Sequence, residues 1–319
     1  MASRDPAVEA LNALIPGGVV RGGARVDEGG GRTLRWVEAG RGRPGPTVVL
    51  DAGRNDTAIS WAPLLVALAE RARLVAYDRA GLGASDPDLG PEPPSVQRQV
   101  ADLATVIRSA GHGPCVVVGH SWGGLLAQLL AARHPDLVCG LVLIDPAHLD
   151  MMAELPRPLG WLNRQVTGRL GPVLWATGLL RPWVWLRSRG TARRFSDDPR
   201  VRSLLIDAYR VHAGRTQVRA NRDEFRAILA DARSLRRALA EPRAGVPLVV
   251  LSATGGAPAG VRRHWTSLQA GIAAGRGRHV VVPDTGHNLH QDRPDLVAAA
   301  VLEVVEKGRR PGREAQISP

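Results

Sequence analysis

The chain has 319 residues, 44% of them apolar and 23% charged, with a formal net charge of +12. That length exceeds a typical single domain but suits an α/β fold carrying an insertion, and the apolar share can fill a sizeable core. Two cysteines, Cys115 and Cys139, exclude a disulfide-built scaffold and read as free thiols of a reducing compartment. Residues Met1 to Pro16 carry Asp5 and Glu9 and no apolar run of signal length, which points to a cytoplasmic protein. No recognised motif or aromatic-interleaved basic groove accompanies the positive charge, so nucleic acid is not expected as a partner.

In chain order, Val19 to Val26 and Thr33 to Glu38 read as early strands turned by Gly29-Gly30-Gly31. A third strand ends at Asp51 and runs into Ala52-Gly53-Arg54. A helix at Trp61 to Arg71 and a strand at Arg73 to Asp78 come next. Val96, Val100, Leu103 and Ile107 share one face of a helix from Val96 to Ala110, which Gly111 ends. This alternation of strand and helix is that of a doubly wound, mostly parallel sheet.

Cys115 to Val118 is a short β-branched run bounded by Gly113-Pro114, the mark of a buried parallel strand. Gly119-His120-Ser121-Trp122-Gly123-Gly124 follows, and then Leu125, Leu126, Leu129 and Leu130 recur at helical spacing. A serine on so sharp a strand-to-helix turn sits in strained backbone with its hydroxyl exposed, and the helix N-terminus points at the same spot. Ser121 is the candidate nucleophile. His287 lies past the strand Val280 to Val282 and a Gly286 turn, ahead of a helix from Pro294 to Glu306, and is the candidate base. His120, His134 and His290 read as elbow packing, helix end and surface.

The acid follows by exclusion. The strand Pro247 to Leu251 leads into Ser252-Ala253-Thr254-Gly255-Gly256-Ala257-Pro258, and no Asp or Glu lies between Glu241 and Asp284. Asp284 is too close to His287 in the chain to orient its ring. Asp145 ends the strand Leu141 to Ile144, one helix and one strand past Ser121, and can fix the outer imidazole nitrogen. An Asp-Pro turn capping the strand is its structural alternative.

Thr47 to Gly53, Leu74 to Asp86, the elbow, Leu143-Ile144-Asp145-Pro146 and Gly286-His287 together resemble an α/β-hydrolase-fold serine hydrolase, esterase-like and capped. The resemblance covers about residues 18 to 307. It implies a mostly parallel twisted sheet flanked by helices, and in such enzymes an acid after the strand that follows the elbow helix is an established minority arrangement. Haloalkane dehalogenases and epoxide hydrolases of this kind use an aspartate nucleophile, often in Gly-His-Asp-Trp-Gly; Ser121 stands in its place here. Ala52-Gly53 departs from the common His-Gly, yet the backbone N–H groups of Arg54 and Trp122 remain as the expected oxyanion hole. The Arg54 guanidinium reads first as solvent-facing, with a substrate carboxylate as the alternative. Asp51 reads as a structural carboxylate, and Asp78 with Ser85-Asp86 as a bracing loop.

Residues 148–243 break the strand–helix rhythm with helical stretches and no convincing strand. They read as a helical cap inserted into a core domain of residues 1–147 and 244–319. Trp161, Trp175, Trp183 and Trp185, with their leucine neighbours, read equally as an apolar pocket or lid surface over Ser121 or as the cap's own core. Pro172, Gly178, Arg181 and Pro182 interrupt this run and argue against a transmembrane span, with loose membrane association left as the alternative. Residues 151–245 hold nineteen Arg against eight Asp and Glu, so eleven of the twelve net positive charges fall there. Solvated arginines are the first reading, and attraction of anionic substrates the second.

The expected reaction is hydrolysis of a small ester or thioester through an acyl-enzyme, without cofactor or metal. The expected partner is a small molecule with an apolar acyl group, an anionic one being the alternative. A prolyl-iminopeptidase-like aminopeptidase is a rival that needs cap carboxylates, for which Asp223-Glu224 and Asp197-Asp198 are the adjacent pairs. A non-catalytic hydrolase-fold binding protein is the other rival, and the missing acid after Leu251 is its support. The sequence leaves the oligomeric state open.

Overall fold

The computed structural model describes residues 5–28, 31–90, 94–111, 113–150, 170–240 and 245–309. Its strands are β1 (Val20–Val26), β2 (Arg32–Ala39), β3 (Val48–Asp51), β4 (Leu74–Asp78), β5 (Cys115–His120), β6 (Val138–Ile144), β7 (Leu248–Ala253) and β8 (Arg278–Val282). Its helices are α1 (Pro6–Leu14), α2 (Ala62–Leu68), α3 (Val96–Ala110), α4 (Trp122–Arg133), α5 (Gly171–Ala176), α6 (Leu180–Phe195), α7 (Pro199–Tyr209), α8 (Arg215–Ala240), α9 (Ala259–Ala273), α10 (Leu289–Asp292) and α11 (Pro294–Gly308).

The strands form one sheet in the order β1-β2-β4-β3-β5-β6-β7-β8. Strand β2 runs antiparallel to both its neighbours, and every other pairing is parallel. Side chains alternate across a strand, so each valine run serves both faces. Val48, Leu50, Val116, Val118, Val142 and Ile144 pack on one side with α1, α2 and α11. Val49, Val75, Val117, Leu141 and Leu143 pack on the other with α3, α4 and part of α8. This is the α/β-hydrolase architecture expected from the sequence.

Local signals set the helix ends. Asp5 caps α1 by accepting from Ala7 N at 2.9 Å, and Ser95 caps α3 by accepting from Arg98 N at 3.2 Å. Helix α1 is not among the expected elements, although Asp5 and Pro6 are a proper start signal. Helix α9 is hidden for a physical reason. Its buried positions are Arg262, Gln269, Ile272 and Ala273, so half of its inward face is polar and no hydrophobic period shows. Helix α2 is shorter than expected at both ends: Trp61 belongs to a 3₁₀ turn, Ala58–Trp61, and residues 69–71 form a turn after Leu68.

Between β6 and β7, elements α5 to α8 are helical. Helix α7 packs on α1 and α6, while α8 packs on α3 and α4. Leu180 and Val184 are buried with Ala213, but Trp175, Trp183 and Trp185 face outward. Among the described residues these three tryptophans are therefore not core, which departs from one of the two readings. Trp161 lies outside the described residues. Among the described residues, no helix is long and apolar enough to cross a membrane. Cys115 is buried, Cys139 is half-buried, and both are free thiols.

Candidate active site

The carboxyl ends of β3, β5, β6 and β8 lead into the turns that carry Arg54, Ser121, Asp145 and His287. In an open parallel sheet that edge is where ligands bind. Ser121 joins β5 to α4 with φ 49° and ψ −111°, a conformation L-residues avoid. The turn is stitched to both neighbouring strands. Gly123 N donates to Ala52 O at 3.2 Å, Ser121 N to Ile144 O at 3.0 Å, and Ala147 N to Ser121 O at 2.9 Å. A Cβ on Gly123 would strike the Asp51 carbonyl, so only glycine lets β3 come this close.

Asp145 is fully buried and also holds positive φ, at 43°. Its carboxylate accepts from His287 Nδ1 at 2.7 Å, Arg262 Nη1 at 2.9 Å, Gln269 Nε2 at 3.0 Å and Ala253 N at 3.3 Å. Arg262 Nη2 completes a two-pronged ion pair. Burial alone would raise the Asp145 carboxyl, but the hydrogen bonds from His287 and Arg262 outweigh it and bring it to about 2. An ionised carboxylate here fixes the proton on Nδ1 and leaves Nε2 with its lone pair.

The His287 loop rests on the acid-free turn after β7. Gly255 N donates to Thr285 O at 2.8 Å, and a Cβ on Gly256 would come within 3.2 Å of His287 N. The small residues that leave this turn without an acid are a bed for the histidine. His120 Nε2 donates to His287 O at 2.9 Å, tying the elbow to the histidine loop. The Trp265 ring centre lies 5.2 Å from that of His287. Among the described residues no hydrogen bond joins Ser121 Oγ to the His287 ring, whose centre is 4.7 Å from that of His120.

The turn after β3 lies against the elbow: a Cβ on Gly53 would come within 2.8 Å of His120 Nδ1 and 3.6 Å of Ser121 Cβ. Among the described residues, the N–H groups of Arg54 and Trp122 have no acceptor. Arg79 organises this turn by donating to Ala52 O and Asp51 Oδ1 at 2.6 Å, Gly53 O at 2.7 Å and Glu224 Oε1 at 2.6 Å. Burial opposes the Arg79 charge, but Glu224 and Asp51 outweigh it and hold it above its usual range. From α8, Glu224 Oε2 accepts from Asn55 N at 3.0 Å, and Gln217 Nε2 donates to Asn55 O at 3.0 Å. Asn55 itself is left-handed at φ 61°. Asp51 is the structural carboxylate expected, and Asp78 braces the turn by accepting from Ala58 N at 2.7 Å and Ala84 N at 2.9 Å.

Two expectations are corrected here. The Arg54 side chain is half-buried, not solvent-facing: it lies over the Phe225 ring, 5.3 Å from its centre, and its Nη1 has no partner. Burial pulls this guanidinium below its usual range, with Glu224 opposing. His290 is not on the surface but fully buried, 4.6 Å from the Trp61 ring and 4.5 Å from that of His120. Burial, reinforced by His287, pushes its pKa down to about 3.

The His290 shift has a stability consequence. Between an unfolded value near 6.5 and the folded value, the unfolded chain binds the proton that the fold rejects. Stability is therefore complete above pH 6.5 and is lost on acidification toward pH 3, by at most about 1.4 kcal/mol per pH unit from this group. Urea melts across that window should show His290→Phe to be less acid-sensitive than the wild type. Parallel acid limbs would contradict the burial.

Sequence reasoning missed Arg262 and Gln269 on α9, and Gln217 and Glu224 on α8. Each pair is spaced seven residues apart, two helical turns, so each places two polar groups on one helix face. That stripe was the available signal. The carboxylates an aminopeptidase would need are occupied. Both oxygens of Glu224 are bonded, Asp223 pairs with Arg219 and Arg222, Asp197 pairs with Arg202, and Asp198 caps α7.

Known proteins resemble this chain in sequence and in fold. Epoxide hydrolase 4 of Mus musculus is 32% identical over 124 residues, 39% of this chain and 34% of its own length. A RutD protein of Azorhizobium caulinodans, named for carbamate hydrolysis, is 35% identical over 117 residues, 37% of this chain and 42% of its own. The chain thus spans between a third and a half of the length of these curated relatives. The crystal structure of the Cif epoxide hydrolase from Acinetobacter nosocomialis superposes with a TM-score of 0.70 at 20% identity, over 95% of this chain and 97% of that one, which shows a common fold. The alpha/beta hydrolase family model matches residues 48–300, most of the sheet with the elbow and the histidine loop, and the chain belongs to that family.

Proposed function

We propose that this protein is a serine hydrolase that cleaves a small ester or thioester through an acyl-enzyme. The observation that carries the reading is the Asp145–His287 hydrogen bond of 2.7 Å beside a strained serine elbow. Ser121 Oγ attacks the carbonyl while His287 Nε2 takes its proton. The N–H groups of Arg54 and Trp122 hold the oxyanion, and His287 returns the proton to the leaving alcohol or thiol. Water then repeats the sequence on the acyl-serine and frees the acid.

The names of several relatives refer to epoxides, but the nucleophile does not suit that substrate. Serine attack on an epoxide carbon forms an ether, which offers water no carbonyl to attack, whereas an aspartate nucleophile forms a cleavable ester. A non-catalytic role fits poorly with three polar side chains buried to fix one histidine tautomer. Residues 148–243 act in this reading as a cap over the core of residues 1–147 and 244–319, and the free thiols suit a cytoplasmic location. The acyl group is apolar in the first reading. The unpartnered Nη1 of Arg54 favours an anionic acyl group as the second.

A fluorophosphonate probe should label the wild-type protein at Ser121 and leave Ser121→Ala unlabelled, and p-nitrophenyl esters of increasing chain length should then rank the acyl pocket. Absence of labelling in the folded wild type overturns the proposal. Glu224 and Gln217 support the Arg54 turn from the cap. Losing one oxyanion donor outright costs about 10²–10³ in rate, so loosening this turn with Glu224→Ala should lower kcat by about 10- to 100-fold with KM little changed. Initial-rate kinetics distinguish this from a substrate-binding role, which would raise KM.

A further inference from the structure

Most of the large apolar side chains exposed among the described residues cluster in one short stretch, Leu170 to Leu186. Leu179 is 58% exposed, Trp183 54% and Leu186 65%, with Trp175 and Trp185 beside them. The pattern is built into α6. Leu180, Val184, Ser188 and Ala192 recur every fourth residue and face inward. That places Leu179, Pro182, Trp183 and Leu186 together on the outward arc. Soluble monomers seldom present such a contiguous patch without a use for it.

Charge identifies the occupant. From Leu170 to Ser196 the sequence carries five arginines and no Asp or Glu. Arg194 pairs with Asp292, but among the described residues Arg181, Arg187, Arg189 and Arg193 have no carboxylate partner. Arg187 lies over the Trp183 ring at 5.5 Å, Arg189 over Trp185 at 4.6 Å, and Arg215 of α8 over Trp175 at 5.9 Å. A tryptophan with an arginine stacked on it presents an apolar body and a cationic rim at one depth. That is the chemistry of the boundary between headgroup and acyl chain. A second copy of the same face would set arginine against arginine, so self-association is disfavoured. Few proteins offer a partner that is both apolar and uniformly anionic, whereas an acidic lipid surface does.

The geometry points to α5 and α6 as a peripheral docking face for an anionic lipid bilayer, with Trp183 and Leu186 inserted and Arg187, Arg189 and Arg193 on the headgroups. The full chain should co-sediment with vesicles of phosphatidylcholine and phosphatidylglycerol and not with phosphatidylcholine alone, and added salt should weaken the binding. Trp183→Ser with Leu186→Ser should lower the partition coefficient by about tenfold or more. Replacing Arg187, Arg189 and Arg193 together by Gln should lower it by about a hundredfold. Four of these five positions are exposed and Arg189 is half-buried, and unchanged urea melts serve as the fold control. Four outcomes overturn the proposal: no binding to acidic vesicles, equal binding to both vesicle types, variants that bind like the wild type, or a dimer dissolved by the same substitutions in a protein that ignores vesicles.

Discussion

Replacing His287 by glutamine is expected to lower kcat on a p-nitrophenyl ester by about 10⁶, with KM little changed. Glutamine keeps bulk and polarity at the site but cannot accept and return a proton. No other histidine can take its place. His120 has its Nε2 hydrogen committed to the His287 carbonyl, and its Nδ1 is sealed without a partner. Burial holds His120 well below its ordinary range, with His290 and His287 adding to the effect, so it is a poor base. Since Ser121 and His287 act as one unit, the double variant Ser121→Ala, His287→Gln should be no slower than either single one. A residual rate of about 10³ over the uncatalysed reaction should survive in all three, supplied by the N–H groups of Arg54 and Trp122. Single-turnover and steady-state rates on one ester series measure all of these. A His287→Gln protein that turns over like the wild type would refute the triad.

The main lines of this fold were legible because a few strong signals carried them. Buried parallel strands must be apolar on both faces, which makes the valine runs of β3, β5 and β7 conspicuous. A Gly-flanked serine between strand and helix is strained backbone that only an exposed nucleophile makes worthwhile. Ser121, Asp145 and His287 follow from strand ends, and the structure brings the last two into contact. What stayed hidden depends on partners far away in the chain. Glu224 and Gln217 hold a turn more than 160 residues upstream, and the polar stripe they form on α8 does not say which turn it meets. Arg262 and Gln269 sit on a helix whose inward face is half polar, so no apolar period marks it. His290 is followed by Gln291, Asp292 and Arg293 and resembles surface, yet Trp61 and His120 enclose it. Trp175, Trp183 and Trp185 depart from a core reading in the opposite direction: apolarity in a sequence implies burial only if the fold has a surface left to cover it.

Asp145→Asn is expected to lower kcat by about 10⁴ and to destabilise the fold, and the two effects have separate causes. The carboxylate accepts hydrogen bonds from His287, Arg262, Gln269 and the Ala253 amide, all of them donors. Asparagine must turn its NH₂ toward some of these groups. Facing Gln269 and Ala253, it opposes two donors and one prong of Arg262. Facing His287 is the lesser conflict, but the NH₂ then donates to Nδ1 and moves the imidazole proton to Nε2. In that tautomer the ring has no lone pair for the Ser121 hydroxyl. The stability loss arises from Arg262, whose buried guanidinium loses its counter-ion, a change that typically costs about 3–5 kcal/mol. Adding Arg262→Gln removes the orphaned charge. The double variant should therefore regain most of the lost urea midpoint while kcat remains about 10⁴ below the wild type. Turnover that recovers together with stability would show that Asp145 serves only to neutralise Arg262, and that the histidine takes its orientation from elsewhere.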